Sequence, residues 1–467
     1  MSYFQTERKM VTREKRLSTL SHFNGTIDQL KKETEGSEIK QKIRTFSQIG
    51  KDEILSAIQA LSSIEHAAVI VHGVAGCASS NLYFNKERPA NVYSTNLQEK
   101  DTILGSDAKL SKAIAKIVKE INPSIIFIVG TPVVAINNDD VNSVIFELED
   151  EFNIKLLFIY TDGFKTKSKL TGFDIVSHAL LQKVIKPVAA DSEKSDFLNI
   201  ISFSESEKNI KALTKLLDKL EIKYNLLPRF SSVENIEKAA SAKASVVLND
   251  EEGFYLAQEL EDAYGVKFIK TEAAIGLRGT NEFLKKIGTE FGKDSEVEKL
   301  IEDNDKEIQK SISQKILSGK KIVLDGHLAD LLRLIDVIEL FNGEIAGLFF
   351  TTIDTNDRKL LQRFHEVSPI TPIIIGEGQY FEKANLLSKV IPDFYISQKD
   401  NVSFAAEVNS SIVPVSLAEI PTFGYEGLSA ITDAINQASV FRWTDNTVYK
   451  DSWLKKSGNW YVKQETK

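Results

Sequence analysis

The chain has 467 residues, 42% hydrophobic and 27% charged, with a formal net charge of −8. Such a length exceeds a single hydrophobic core and calls for several globular domains of ordinary apolar content. The acidic balance argues against a nucleic-acid or anionic-membrane partner, because phosphate binding needs clustered lysine and arginine. No apolar run reaches the roughly 18 residues of a membrane-spanning helix, and the first residues lack the apolar core of a leader. Cys77 is the single cysteine, so no intramolecular disulfide forms, and the reading is a cytoplasmic protein with a reduced thiol.

Residues 1–40 read as an N-terminal helical extension. Their basic residues Arg8, Lys9, Arg13, Lys15 and Arg16 are interrupted by Glu7 and Glu14, which suits a solvated face better than a binding patch. From there on, short apolar runs alternate with amphipathic stretches, the grammar of βα units on a parallel sheet. In a first domain, 41–190, strands are predicted at 67–71, 92–95, 124–129 and 155–160. Between them Leu110, Ile114, Ile117, Val118 and Ile121 share one face of a helix over 108–121, with Ser106 or Asp107 as cap and Asn122-Pro123 as stop.

A polar linker over 190–195 precedes a second domain, 191–318, with strands at 197–203, 224–227, 244–248 and 267–270 and a helix at 207–220. A charged helical stretch over 294–317 leads to a third domain, 319–420, with strands at 321–324, 345–350, 372–375 and 394–396. Residues 421–467 form a C-terminal segment. The fold class is therefore α/β: three successive Rossmann-like βα domains with parallel sheets, whose ligands bind where the loops leave the carboxyl ends of the strands.

One such loop is Val71-His72-Gly73-Val74-Ala75-Gly76-Cys77. Two glycines bracket a tight turn after the first strand and let backbone approach whatever the thiol faces. Taken alone, Cys77 is equally an inert buried thiol or a reactive one. His72 reads as a hydrogen-bonded loop histidine, and Asn137-Asn138-Asp139-Asp140 as a turn and helix cap rather than a cation site. No Gly-x-x-x-x-Gly-Lys-Ser/Thr and no strand-linked Gly-x-Gly-x-x-Gly occurs, so no nucleotide is expected on this chain. Gly276-Leu277-Arg278-Gly279 is a turn before a helix. His22, His66, His72, His178, His327 and His365 lack zinc spacing. A single thiolate cannot hold an iron–sulfur cluster, which takes about four cysteine ligands.

The first domain resembles the nitrogenase component 1 superfamily, and more closely its alpha-type members. The resemblance is carried by His72-Gly73-x-x-Gly76-Cys77, by Thr95-Asn96-Leu97-Gln98-Glu99-Lys100-Asp101 and by Leu104-Gly105-Ser106-Asp107-Ala108-Lys109-Leu110. Asn138-Asp139-Asp140, and Asp162-Gly163-Phe164 with Gly172 and His178, extend it. Tyr264-Gly265-Val266, the 276–284 turn, Gly424-Tyr425-Glu426-Gly427 and Trp453-Leu454-Lys455-Lys456 continue it more thinly.

The resemblance implies a C-terminal segment packing back on the first domain, a homologous beta-type subunit as partner, and a separate ATP-dependent iron–sulfur reductase as electron donor. It also implies an intersubunit iron–sulfur cluster, with Cys77 as candidate metal ligand and Gly73 and Gly76 as candidate cofactor-contacting residues. Alpha-type members supply three cysteines to that cluster, and only Cys77 matches one of them. Thr131-Pro132 stands where the family has a Cys-Pro pair. The upstream cysteine corresponds by pattern to Ser21-His22-Phe23-Asn24-Gly25, and by spacing to a point nearer Phe46. The cysteine and histidine that hold the active-site cofactor are replaced, near Asn249 and within 413–417. The expectation is a subunit of a nitrogenase-like two-component oxidoreductase. The alternative is a non-catalytic paralogue that scaffolds metal-cofactor assembly, or binds a ligand, without a cluster of its own.

Overall fold

The computed structural model describes residues 20, 22–34, 52–84, 91–163, 170–189, 192–312, 316–353, 358–376, 379–398 and 402–440. The chain gathers into two compact units, one of Gly50–Glu205 and Ile222–Lys270, the other of Ser18–Ile49, Ser206–Glu221 and Thr271–Lys467. Among the described residues no helix is long and apolar enough to cross a membrane. Strand β1 (Phe23–Thr26) and helix α1 (Ile27–Thr34) belong to the second unit.

The first unit holds two four-stranded parallel sheets. The first sheet has the order β3-β2-β4-β5, from β2 (Ala67–His72), β3 (Val92–Ser94), β4 (Ile125–Gly130) and β5 (Lys155–Ile159). Every residue of β2 and β4 is buried, as expected for strands covered on both faces, and their apolar runs read as continuous for that reason. Alternation still divides them. Val69, Val71, Ile125, Phe127 and Val129 enter one apolar cluster, while Ala68, Ile70, Ile126 and Ile128 enter another on the opposite face.

The connecting helices are α2 (Glu53–Leu61), α3 (Ala75–Phe84), α4 (Glu99–Leu104), α5 (Asp107–Ile121), α6 (Pro132–Asn137), α7 (Val141–Phe152) and α8 (Leu170–Lys183). Helix α5 buries Leu110, Ile114 and Ile117 as its spacing predicts, and ends at Asn122 in the left-handed region. Ile121, in the last turn, is 45% exposed.

The second sheet repeats the design in the order β7-β6-β8-β9, from β6 (Ser195–Ser202), β7 (Tyr224–Pro228), β8 (Ala242–Val247) and β9 (Lys267–Ile269). Helix α9 (Glu207–Lys219) follows β6 in the chain, and α10 (Val233–Glu237) and α11 (Asp250–Tyr264) belong with this sheet. Both sheets protect the open edge in the same way. Glu149 of α7 accepts the Leu156 N–H of β5 at 2.8 Å, and Glu261 of α11 accepts the Phe268 N–H of β9 at 2.9 Å. In each case a helix ends on a left-handed residue, Asn153 or Gly265. The next strand then turns back under a glutamate of that helix, which stands in for a neighbouring strand's carbonyl.

The second unit carries the third sheet, in the order β1-β12-β11-β10-β13-β14. Strands β10 (Lys321–Gly326), β11 (Glu344–Phe350), β12 (Pro372–Ile375), β13 (Phe394–Ser397) and β14 (Val413–Ser416) are parallel, and β1 is antiparallel to β12, Phe23 opposite Ile375. The N-terminal extension is thus not purely helical: its Phe-Asn-Gly-Thr strand lacks a period-two apolar pattern, and only the waiting edge of β12 makes it a strand. Strand β14 also escapes a sequence reading, because Pro414 is tolerated only at an edge.

The remaining helices are α12 (Gly276–Phe291), α13 (Asp294–Ile312), α14 (Leu328–Leu340), α15 (Arg358–Leu361), α16 (Tyr380–Val390), α17 (Phe404–Val408) and α18 (Gly424–Val440). Helix α18 packs on α9, α12, α13 and β14. The described part of the C-terminal segment therefore rests within the second unit, and residues 441–467, with Trp453, lie outside the described residues.

Among the described residues of this unit, Asp325, Asp330, Arg333 and Lys383 are buried charged side chains. Arg333 of α14 is fully buried and pairs with Glu282, with Glu272 at 3.0 Å and with Asp336 at 2.9 Å. It has room because a Cβ on Gly279 would come within 3.2 Å of its Cδ and Nε. At the carboxyl end of β10, Asp325 takes bonds from Lys383 and from the Tyr395 hydroxyl at 2.5 Å. All three side chains are buried. Removing one partner of such a group leaves an uncompensated charge, so Lys383→Met is expected to lower stability by about 3–5 kcal/mol in chemical denaturation. Lys320→Met, whose ion pair with Asp393 is exposed, is expected to cost under about 1 kcal/mol.

Candidate functional site

The carboxyl end of the first sheet is organised around one imidazole. His72, the last residue of β2, is fully buried, and a polar ring at that depth must be satisfied by the protein itself. Its Nδ1 lies 3.1 Å from Thr95 Oγ1 beyond β3, and its Nε2 lies 3.2 Å from Ser106 Oγ ahead of α5. Ser106 Oγ donates to Asp139 Oδ2 at 2.6 Å. The serine proton is thereby committed, so Ser106 accepts from Nε2–H, while the Thr95 hydroxyl faces both Nδ1 and the Gly73 carbonyl, to which it donates at 3.3 Å. The ring is neutral with its proton on Nε2. Burial holds His72 down at about 4, against the opposing pull of Asp139 and then Asp107.

The backbone beside it is tied as well. Thr131 Oγ1 donates to the His72 carbonyl at 2.7 Å, and Gly73 N–H donates to Thr95 Oγ1 at 3.0 Å. Gly73 is required here, since a Cβ would fall 2.3 Å from Thr131 Oγ1. Gly76 differs: among the described residues a Cβ there would meet nothing within 4 Å.

Cys77 is not on a loop. It lies in the first turn of α3, half-exposed behind exposed Ala75 and Gly76, with its N–H donating to Val74 O at 3.1 Å. A helix N-terminus ordinarily lowers a thiol. Here burial first, and the negative charge of Asp52 second, push the Cys77 thiol up.

The other positions singled out in the sequence are committed to structure. Thr131 is fully buried as the cap ahead of α6, with Pro132 in its first turn. Asn249 is 3% exposed and caps α11, accepting the Glu251 N–H at 3.0 Å. The 413–416 stretch is edge strand β14. His22 lies just before β1 in the second unit, and Phe46 lies outside the described residues. Asp140 caps α7 by accepting the Ser143 N–H at 3.1 Å, as expected, whereas its neighbour Asp139 belongs to the imidazole network. His178 Nδ1 meets the Tyr255 hydroxyl at 2.9 Å. The Asp162-Gly163 turn is held by buried Glu53, whose Oε1 accepts both N–H groups at 2.8 and 3.1 Å. No local signal marks Thr95, Ser106, Asp139 or Glu53 as partners, because each pairing spans more than twenty residues of sequence.

Among the described residues no group of three or more His, Cys, Asp or Glu could hold a metal ion. With one cysteine, the donor set of this chain does not match an iron–sulfur cluster.

Two expectations follow from the site's electrostatics. The unfolded chain takes up a proton on His72 near pH 6.5 and the folded chain only near 4. Stability is therefore lost as pH falls through that window, by on the order of 3 kcal/mol. Urea denaturation at stepped pH should show the loss, and a flatter profile for His72→Gln. Iodoacetamide can label only Cys77. Asp52→Asn keeps the helix cap but removes the charge that raises the thiol, so labelling near neutral pH should quicken about 2- to 5-fold.

A family model described as nitrogenase component 1 type oxidoreductase matches residues 53–439. The nitrogenase iron-molybdenum cofactor biosynthesis protein NifE of Methanococcus maripaludis is 25% identical over 349 residues, 72% of this chain and 72% of that protein. The protein of the same name from Clostridium pasteurianum is 32% identical over 276 residues, 56% of this chain and 60% of its own. A nitrogenase molybdenum-iron protein alpha chain of Methanosarcina barkeri is 28% identical over 245 residues, 50% of this chain and 46% of its own. Among solved structures, "Nitrogenase Cp1 at pH 6.5" superposes with a TM-score of 0.75 at 19% identity, over 88% of this chain and 97% of that one.

Proposed function

The chain belongs to the nitrogenase component 1 type oxidoreductase family, and from that premise we propose that it is a scaffolding or binding subunit of a nitrogenase-like assembly. It pairs with a homologous beta-type chain and does not itself carry the reducing centre. One observation carries this reading. At Thr131 and near Asn249, where the resemblance sets ligand cysteines, the chain has buried helix starts instead, Thr131 at 0% and Asn249 at 3% exposure. Thr131 Oγ1 donates to the His72 carbonyl and Asn249 Oδ1 accepts the Glu251 N–H, while Asn249 Nδ2 is buried without a hydrogen-bond partner among the described residues. The cofactor-biosynthesis proteins among the relatives support the same role.

A second reading has its own observation. Cys77 is half-exposed on the first turn of α3, beside exposed Gly76. A thiol so placed could give one ligand to an iron–sulfur cluster completed by the partner, as a redox subunit served by an ATP-dependent iron–sulfur reductase. This chain by itself lacks the ligand set of such a cluster.

Anaerobic purification of the full chain, alone and with its beta-type partner, separates the two readings through iron and acid-labile sulfide. The scaffold reading expects no stoichiometric cluster on the chain alone and, in the complex, a content unchanged by Cys77→Ala. Cluster lost from the complex on Cys77→Ala would establish the second reading, and a full cluster on the chain alone would overturn the first.

A further inference from the structure

Helices α5 and α7 form a face of the first unit that the proposed function does not use. Both pack on the same side of the first sheet, where Leu110 and Ile114 of α5 and Val144 and Leu148 of α7 enter one apolar cluster with Ile70 and Ile128. The two helices lie against each other. Each leaves one parallel strand and returns to the start of the next, so they run in the same direction.

Their outer faces differ in charge. On α5, Ala108, Lys112, Ala115 and Lys119 fall at i, i+4, i+7 and i+11, opposite the buried stripe, with Lys116 beside them. On α7, Phe146 and Asp150 stand opposite the buried residues, with Glu147 beside them. Over its whole length α5 has four lysines against Asp107 and Glu120, and α7 has four acids and no basic residue. Some of these charges are settled inside the chain: Lys116 pairs with Glu120 at 3.8 Å, Lys109 with Asp101 at 3.5 Å, and Glu149 accepts the Leu156 N–H. Beyond α7, Lys155 and Lys186 are held by Glu237, and Lys183 belongs to α8, which covers the opposite side of the sheet. Lys112 and Lys119 on one helix, and Glu147 and Asp150 on the other, are exposed and make no ion pair among the described residues. Phe146 stands among the acids 77% exposed.

We propose that this face is where two copies of the chain meet about a two-fold axis, α5 of one lying over α7 of the other. A basic partner would neutralise α7 and be repelled by α5, and an acidic partner the reverse. The same face turned through half a revolution satisfies both, because in an isologous contact residue i meets j and j meets i. The axis sets the facing helices antiparallel and brings Lys112 and Lys119 to Glu147 and Asp150 of the second copy. Phe146 then lies on the stripe of Ala108 and Ala115, whose short side chains leave room for the ring. Charge fixes the register of the contact, and removing the two phenyl rings from water adds affinity. The contact does not depend on the scaffold reading.

The test is sedimentation velocity of the full-length chain under reducing conditions, over a concentration series. A reversible dimer is expected, weakened at least about tenfold as salt rises from about 0.05 M to about 0.5 M, because exposed pairs are screened. Lys112→Glu with Lys119→Glu, and separately Glu147→Lys with Asp150→Lys, each weaken self-association at least about tenfold. An equimolar mixture of the two double variants restores the dimer, since every acidic helix then faces a basic one. All four positions are exposed and both residue types suit a helix, and circular dichroism checks the fold. Should either double variant fail to fold, Phe146→Ser, expected to weaken the dimer by a similar factor, decides in its place. A monomer across the series, a dimer indifferent to salt and to the substitutions, or a mixture that stays monomeric overturns the proposal.

Discussion

One buried neutral imidazole holds the carboxyl end of the first sheet together. His72 gathers a residue from beyond β3, a serine ahead of α5 and, through that serine, an aspartate between α6 and α7. Its own carbonyl takes the Thr131 hydroxyl. A polar ring at zero exposure would cost several kcal/mol if any of these bonds were missing. The loops are therefore not independent; each is fixed because the others satisfy the same ring. Gly73 is the steric counterpart of that arrangement, the residue that lets the strand end and Thr131 come into contact. Cys77 follows that network on the first turn of a helix.

The same economy appears in how the sheets end. Two edges are covered by glutamates of the preceding helices, and the third sheet is extended by an N-terminal strand and bounded by a proline-bearing one. Charges placed inside, on Arg333 and around Asp325, are paired by partners from neighbouring elements. These features favour one fixed arrangement within each unit, which suits a surface that holds a partner or ligand. Thr131 and Asn249 belong to that arrangement as helix starts.

Much of this was legible in the residues. Strands β2, β4 and β12 are built on uninterrupted apolar runs, and α5 is written in the spacing of Leu110, Ile114 and Ile117, because burial on one or both faces leaves a periodic trace. The family was legible from His72 to Leu110 and in the turns after β4 and β5. Strands β1 and β14 were not, since an edge strand with a glycine or a proline carries no period of its own and takes its form from the neighbour it meets. Cys77 was expected on a loop because the two glycines suggest a turn; only the first of them makes it.

The sequence by itself determined the central parallel strands of the three sheets, the family and the solitude of Cys77, because patterning and composition act locally and a missing residue type is absent everywhere. Tertiary structure alone decided that His72 is neutral, that Asp139 and Ser106 serve it, and that Thr131 is spent on a backbone carbonyl. It also decided that the thiol is raised rather than activated. Those outcomes depend on burial and on partners far apart in the chain, and neither is encoded in any one stretch of it.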